Sequence, residues 1–272
     1  MGKRARIAVA PKQSLGQNFL IDDNIARNIV RDLHLEPEEV VIEIGPGQGA
    51  LTQHLVDRVQ NLVAMEIDSR IVDALMKKFG NERVHIHHQD FLEARLSEIS
   101  QQFQRKLRIV GNIPYHLTSS ILFKAFEDYN VVKDLTIMVQ REVARRITAL
   151  PGSKDYGILS VCSRFYGIPK QLFNVSPNCF YPKPKVFSTV IQITMHETLQ
   201  KHIDIELFRL VVRTSFGKRR KILRNSLKYL PYEDEVLQRI FSETAPMLDR
   251  RPEQLTVEEF ISLTNTIQHS II

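Results

Sequence analysis

Four short strand-like runs constrain this chain more than any other feature: Val40 to Ile44, Leu62 to Met65, Val84 to His88 and Leu107 to Val110. Helix-length stretches separate them. Runs of this length that alternate with helices read as strands of a parallel sheet covered on both faces. In an open sheet of that kind the functional loops lie just past the carboxyl ends of the strands. Chemistry is therefore expected in the residues directly after each run. The four continuations are Gly45-Pro46-Gly47-Gln48-Gly49, Glu66-Ile67-Asp68, Gln89-Asp90-Phe91 and Gly111-Asn112-Ile113-Pro114-Tyr115.

Each continuation has a physical use. The glycines after the first run let a ligand approach the backbone closely. A carboxylate at Glu66 can bind the two ribose hydroxyls of an adenosine-containing cofactor. Asp90 can accept from an adenine amine, with Ile67 and Phe91 as apolar walls; it can equally cap a helix. Gly45, Gly47 and Ala50 also satisfy the G-x-G-x-x-G/A dinucleotide pattern, so NAD and S-adenosylmethionine both fit. Glu43, two residues before the first glycine, favours the second, whose ammonium and sulfonium attract acidic side chains. In the fourth continuation, the Asn112 amide oxygen can accept from a substrate NH2. Pro114 fixes its own φ and keeps Ile113 extended, which aims the Ile113 carbonyl. Tyr115 offers a flat face for a nucleobase. His85 and His87 share a strand face, but no Cys or spaced carboxylate set completes a metal site.

Along the rest of the chain, Asp22-Asp23-Asn24 caps a helix that runs to about Leu33, and a helix follows the first strand from Ala50 to about Val59. Further helices are expected over 119–129 and 141–150. Asp134 to Val139 is a fifth strand. Asp155 is expected to cap a helix with Ile158, Leu159, Cys162 and Phe165 on one face. Gln171 to Val175 and Val186 to Ile193 read as the last strands. The loop between them, Phe180-Tyr181-Pro182-Lys183-Pro184-Lys185, is stiff and basic, and Phe180 is a candidate second stacking plate opposite Tyr115. After Met195 the pattern is helical only: about 205–215, 218–229, 233–242 and 257–268, the last with a capping box of Thr256 and Glu259. The expected division is a flexible basic arm over 1–14, a sheet domain over 15–198 and a helical domain over 199–272.

Charge points to the partner. The chain has 272 residues and a net charge of +6, with a pI near 9.3. The segment from Arg209 to Lys228 alone holds eight cations and no acid: Arg209, Arg213, Lys218, Arg219, Arg220, Lys221, Arg224 and Lys228. That one-signed density favours a nucleic-acid surface over an ordinary solvated helix face. Lys3, Arg4, Arg6 and Lys12 make the first residues basic as well. Cys162 and Cys179 are the only cysteines, which fits a reducing cytosol. The apolar run Ile7 to Ala10 is too short for a signal-peptide core. No apolar run reaches the length of a membrane span.

Taken together, Gln17-Asn18-Phe19-Leu20, Glu43-Ile44-Gly45-Pro46-Gly47, Glu66, Asp90, Gly111 to Tyr115, Phe180 with Pro182 to Val186, and Ser215 to Lys221 closely resemble the bacterial small-subunit rRNA adenine dimethyltransferases. The resemblance runs nearly the full length, in order. It implies a Rossmann-like class I methyltransferase sheet followed by a small all-α domain. It implies dimethylation of the N6 amines of two adjacent adenosines near the 3′ end of 16S rRNA in the 30S particle. S-adenosylmethionine would be the donor, held by Asn18, Leu20, Gly45, Gly47, Glu66, Ile67, Asp90, Phe91 and Asn112. Asn112, Pro114, Tyr115 and Phe180 would form the catalytic set, and Lys218, Arg219, Arg220, Lys221 and Arg224 the RNA contact. A cytoplasmic monomer with a role in late 30S assembly is expected, and loss of the modification is linked in the family to kasugamycin resistance.

Overall fold

The computed structural model describes residues 9–199, 203–218 and 221–271. The chain divides into two compact units. One extends to Ala144 and resumes over Ile168–Glu197; the other takes Arg145–Gly167 and resumes at Thr198.

The first unit is built on strands β1 (Phe19–Leu20), β2 (Val40–Ile44), β3 (Asn61–Glu66), β4 (Val84–His88), β5 (Leu107–Gly111), β6 (Val132–Gln140), β7 (Gly167–Val175), β8 (Phe180–Tyr181) and β9 (Ser188–Met195). Seven of them form one sheet in the order β4-β3-β2-β5-β6-β9-β7. Neighbours from β4 to β6 run parallel, and β9 runs antiparallel to β6. β2 and β5 are buried at every position, as strands covered on both faces must be. The order reverses between β2 and β5: the chain steps outward to β3 and β4, then crosses back. That crevice is the topological switch point, where ligands of open α/β sheets bind. The register there is tight. Gly111 pairs with Ile44, and a Cβ on Gly111 would lie 2.8 Å from the Ile44 carbonyl oxygen.

The helices of this unit are α1 (Asp23–Asp32), α2 (Thr52–Leu55), α3 (Ser69–Phe79), α4 (Leu96–Phe103), α5 (Thr118–Glu127) and the start of α6 (Arg141–Thr148). Asp22 caps α1 by accepting from the Asn24 and Ile25 amides at 2.9 and 3.2 Å. α2 is one turn rather than the longer helix expected from Ala50. Gly45, Gly47 and Gly49 all take positive φ, the chain stays in turns up to Leu51, and turns resume after Leu55. α3, which no motif marked, is capped by Asp68 and buries Ile71, Val72, Leu75 and Phe79. Arg108 on β5 is buried but paired, with Asp134 and Glu39 each 2.6 Å away.

The second unit holds α7 (Ile158–Tyr166), α8 (Ile205–Gly217), α9 (Leu223–Leu227), α10 (Asp234–Glu243), α11 (Ala245–Leu248) and α12 (Val257–Ser270). α7, expected in the sheet domain, packs with these helices: the Phe165 ring stacks on Phe208 at 4.0 Å. Its N-cap is Gly157, whose amide donates to Ser160 Oγ at 3.0 Å, and not Asp155, which instead faces Arg145 at 3.5 Å. α9 is shorter than expected, mainly at its start: it begins at Leu223 with Ile222 extended as its N-cap, and turns at Tyr229 and Leu230 follow it. α12 has the expected Thr256–Glu259 capping box. No helix among the described residues is long and apolar enough to cross a membrane.

Candidate active site

The carboxyl ends of β2, β3, β4 and β5 open into a cleft continuous with solvent. Asn18, Leu20, Gly45, Gly47, Glu66, Ile67, Asp90, Phe91, Asn112, Pro114 and Tyr115 all line it. Four strand-end loops and the N-terminal segment thus meet at one rim, as the strand order requires.

The floor is the glycine turn after β2. Gly45 donates to the Met65 carbonyl at 2.9 Å, and Gly47 donates to Glu66 Oε2 at 3.3 Å. Gly47 has φ +53, and a Cβ there would sit 2.9 Å from the Phe19 ring. Only glycine lets the turn and the ring share that space. Glu66 is 5 % exposed, and its Oε1 accepts the Ile67 and Asp68 amides at 3.0 Å each. Oε2 carries the single longer bond from Gly47, so it is the oxygen with capacity left for a hydroxyl. Burial pushes the Glu66 carboxyl upward, opposed by those three amides. Asp90 caps the short turn over Phe91–Glu93 through Oδ1, which accepts from Leu92 at 2.9 Å. The two readings of Asp90 are therefore compatible: one oxygen caps and the residue still lines the cleft.

Glu43 lines the cleft beside the glycine turn but is more enclosed than a surface carboxylate. It is 1 % exposed, and burial pushes its carboxyl up to about 8, against a bond from Thr52 Oγ1 at 2.7 Å, which favours the neutral form.

At the other end, Asn112 donates from Nδ2 to the Asn18 carbonyl at 2.8 Å. Only the amide nitrogen can make that bond, so Oδ1 is left as the free acceptor. Pro114 has φ −59, and the Ile113 carbonyl accepts no hydrogen bond among the described residues. The Tyr115 hydroxyl shares a 2.6 Å bond with Ser188 Oγ, which fixes the ring against β9. Phe180 differs from expectation. It is 3 % exposed, pairs with Leu20 between β8 and β1, and belongs to the core rather than to the cleft lining.

Some residues to which no role was assigned also shape the cleft. Gln17 and Gln48 line it, and Asp68, bonded to Arg70, accepts from Gln17. Residues 1–8 lie outside the described residues, but Val9 onward, expected as part of a flexible arm, is bonded: Gln48 Nε2 donates to the Val9 carbonyl at 3.1 Å.

In the helical unit, Lys218 lies 5.3 Å over the Tyr229 ring, its carbonyl accepts the Lys221 amide at 2.7 Å, and Arg224 is 3.6 Å from Asp249. Arg219 and Arg220 lie outside the described residues. Arg209 turns inward to the Tyr166 hydroxyl, so it is not part of an outward basic face.

A sheet of this order with a glycine turn, a carboxylate and an acceptor amide at successive strand ends defines a Rossmann-like methyltransferase. The ribosomal RNA adenine dimethylase family matches residues 9–269, and the chain belongs to it. A ribosomal RNA small subunit methyltransferase A from Bacteroides thetaiotaomicron is 41 % identical, over 97 % of this chain and 96 % of that one. One from Alkaliphilus oremlandii is 40 % identical, over 94 % and 91 %. Among solved structures, the 23S rRNA methyltransferase ErmE superposes with a TM-score of 0.68 at 25 % identity, covering 92 % of this chain and 100 % of that one. A dimethyladenosine transferase from Plasmodium falciparum shares the fold, with a TM-score of 0.79 at 21 % identity, over 93 % and 98 %.

Proposed function

We propose that this methyltransferase dimethylates the N6 amines of two adjacent adenosines in the 3′-terminal hairpin loop of 16S rRNA, within the 30S particle, late in small-subunit assembly. The observation that carries this reading is the Asn112 amide, turned by the Asn18 carbonyl so that Oδ1 is the acceptor left at the strand end. S-adenosylmethionine is the donor that the cleft fits. The Gly47 cradle tolerates no Cβ, Glu66 Oε2 has capacity for ribose, and Asp90 lines the wall with Ile67 and Phe91. When bound, this donor supplies an activated methyl on a cationic sulfur.

The protein's own part is positioning. An adenine amine is a poor nucleophile because its lone pair is delocalised into the ring. Acceptance of its two hydrogens by Asn112 Oδ1 and the Ile113 carbonyl localises the pair and aims it. Tyr115 supplies the stacking face, worth about 1–3 kcal/mol. The base must be unpaired or flipped to enter. No general base acts before transfer, because the alkylated amine sheds its proton readily. The basic residues from Lys218 to Arg224 hold the RNA through its phosphates. The protein acts in the cytoplasm as a monomer, and its loss gives kasugamycin resistance.

The test is transfer of labelled methyl groups to undermethylated 30S particles and, separately, to 23S rRNA. N6,N6-dimethyladenosine at two adjacent positions of 16S rRNA is expected. Incorporation into 23S rRNA alone would replace the reading with that of the ErmE type. Particle binding without incorporation would reduce the protein to an assembly factor.

A further inference from the structure

The segment ahead of β1 is strapped to the rim of the cleft through one carboxylate. Asp68 has a fully buried side chain. It accepts Arg70 Nε at 2.9 Å and Arg70 Nη2 at 2.6 Å, Gln17 Nε2 at 3.4 Å, and lies 3.6 Å from the Lys12 ammonium. Arg70 Nη2 also donates to the Ala10 carbonyl at 3.4 Å, and Gln17 Oε1 accepts the Lys12 amide at 2.7 Å. The bonds from Asp68 and Arg70 reach residues 10–17 from outside the segment. One residue further on, the Asn18 carbonyl holds the Asn112 amide.

We infer that Asp68 and Arg70 are positioning residues, which clamp the segment so that the Asn18 carbonyl keeps Asn112 Oδ1 turned to the target amine. This rests on the role proposed for Asn112. The logic is that an amide rotor has two nearly isosteric settings, and only one presents an acceptor. A carbonyl fixed in space selects that setting. A carbonyl on a loose segment does not. Asp68 is suited to fix it because it is wholly enclosed and yet paired; Arg70 beside it holds the carboxyl far below the usual carboxylate range. The latch also lies two residues after Glu66, and Glu66 Oε1 accepts the Asp68 amide. The ribose-binding carboxylate and the clamp are thus parts of one turn.

Arg70→Ala tests this, because Arg70 is a half-exposed side chain outside the cleft lining. The expected result is a roughly tenfold fall in kcat on 30S particles, since small misplacements of a reacting group are costly. With donor saturating, KM for 30S should stay within about twofold, and amide exchange over residues 13–18 should accelerate. Arg70→Lys should restore part of kcat. Asp68→Asn, which keeps an oxygen to cap α3, gives a second reading if the first variant folds poorly. Unchanged exchange would show that there is no clamp. Faster exchange with unchanged kcat would show that the clamp does not position Asn112. Failure of the wild-type enzyme to methylate 30S would instead remove the proposed function, and the exchange result would stand apart from it.

Discussion

Thr52 Oγ1 donates to Glu43 Oε2 at 2.7 Å, inside a core where Glu43 is almost wholly shut off from solvent. A carboxyl enclosed to that degree keeps its proton to about pH 8, against an ordinary value of 4.5. Below 4.5 both folded and unfolded chains are protonated, so nothing is lost. Between 4.5 and 8 only the unfolded chain releases the proton, so stability falls as pH rises. At about 1.4 kcal/mol per unit, the loss at pH 7 is roughly 3 kcal/mol. Glu43→Gln keeps an acceptor for Thr52 and does not titrate. Urea unfolding from pH 4.5 to 8.5 should show the variant gaining on wild type as pH rises; parallel profiles would refute the assignment.

Asn112→Ala removes both the bond to Asn18 and the acceptor toward substrate. By analogy with loss of one oxyanion-hole donor, the rate of transfer should fall about 10²–10³-fold. Binding to 30S should survive. Single-turnover transfer beside filter binding separates the two, and undiminished turnover would take Asn112 out of the mechanism.

Gly47→Ala should weaken binding of S-adenosylmethionine by about tenfold or more. It forces φ +53 on a residue with a Cβ and drives that Cβ to 2.9 Å from Phe19. The backbone component is about 1–2 kcal/mol. Gly152→Ala is the control: it has φ +83 and no atom within 4 Å of its Cβ, far from the cleft lining in sequence. Calorimetric titration of both variants should show the loss in the first only.

Replacing Lys218 and Lys221 with Ala should weaken 30S binding and reduce the slope of log K against log salt by about 0.7–0.9 for each phosphate no longer neutralised. Affinity that does not change across a salt series would make this stretch an ordinary solvated surface. Arg209→Ala should not alter the slope, because its guanidinium is engaged with Tyr166 and Glu206.

Much of the site was legible because strand ends are: periodicity located β2 to β5, and parallel topology then forced Gly45, Glu66, Asp90 and Asn112 to one rim. The rest depends on three-dimensional burial. Nothing local says that Glu43 is enclosed, that Phe180 faces Leu20, or that Asp68 meets Gln17 across 51 positions. The cap and apolar spacing of α3 are present in the sequence, but no chemical motif draws attention to them. The placement of α7 was not readable, since its apolar face fits a sheet as well as a helix bundle.

The helical unit takes its members from both sides of the sheet's last strands. A fragment that stopped after β9 would therefore synthesise α7 without Phe208, the ring on which Phe165 stacks. Its sticky face would invite aggregation rather than yield a tidy catalytic half. The boundary between the two units is thus not a single cut in the sequence.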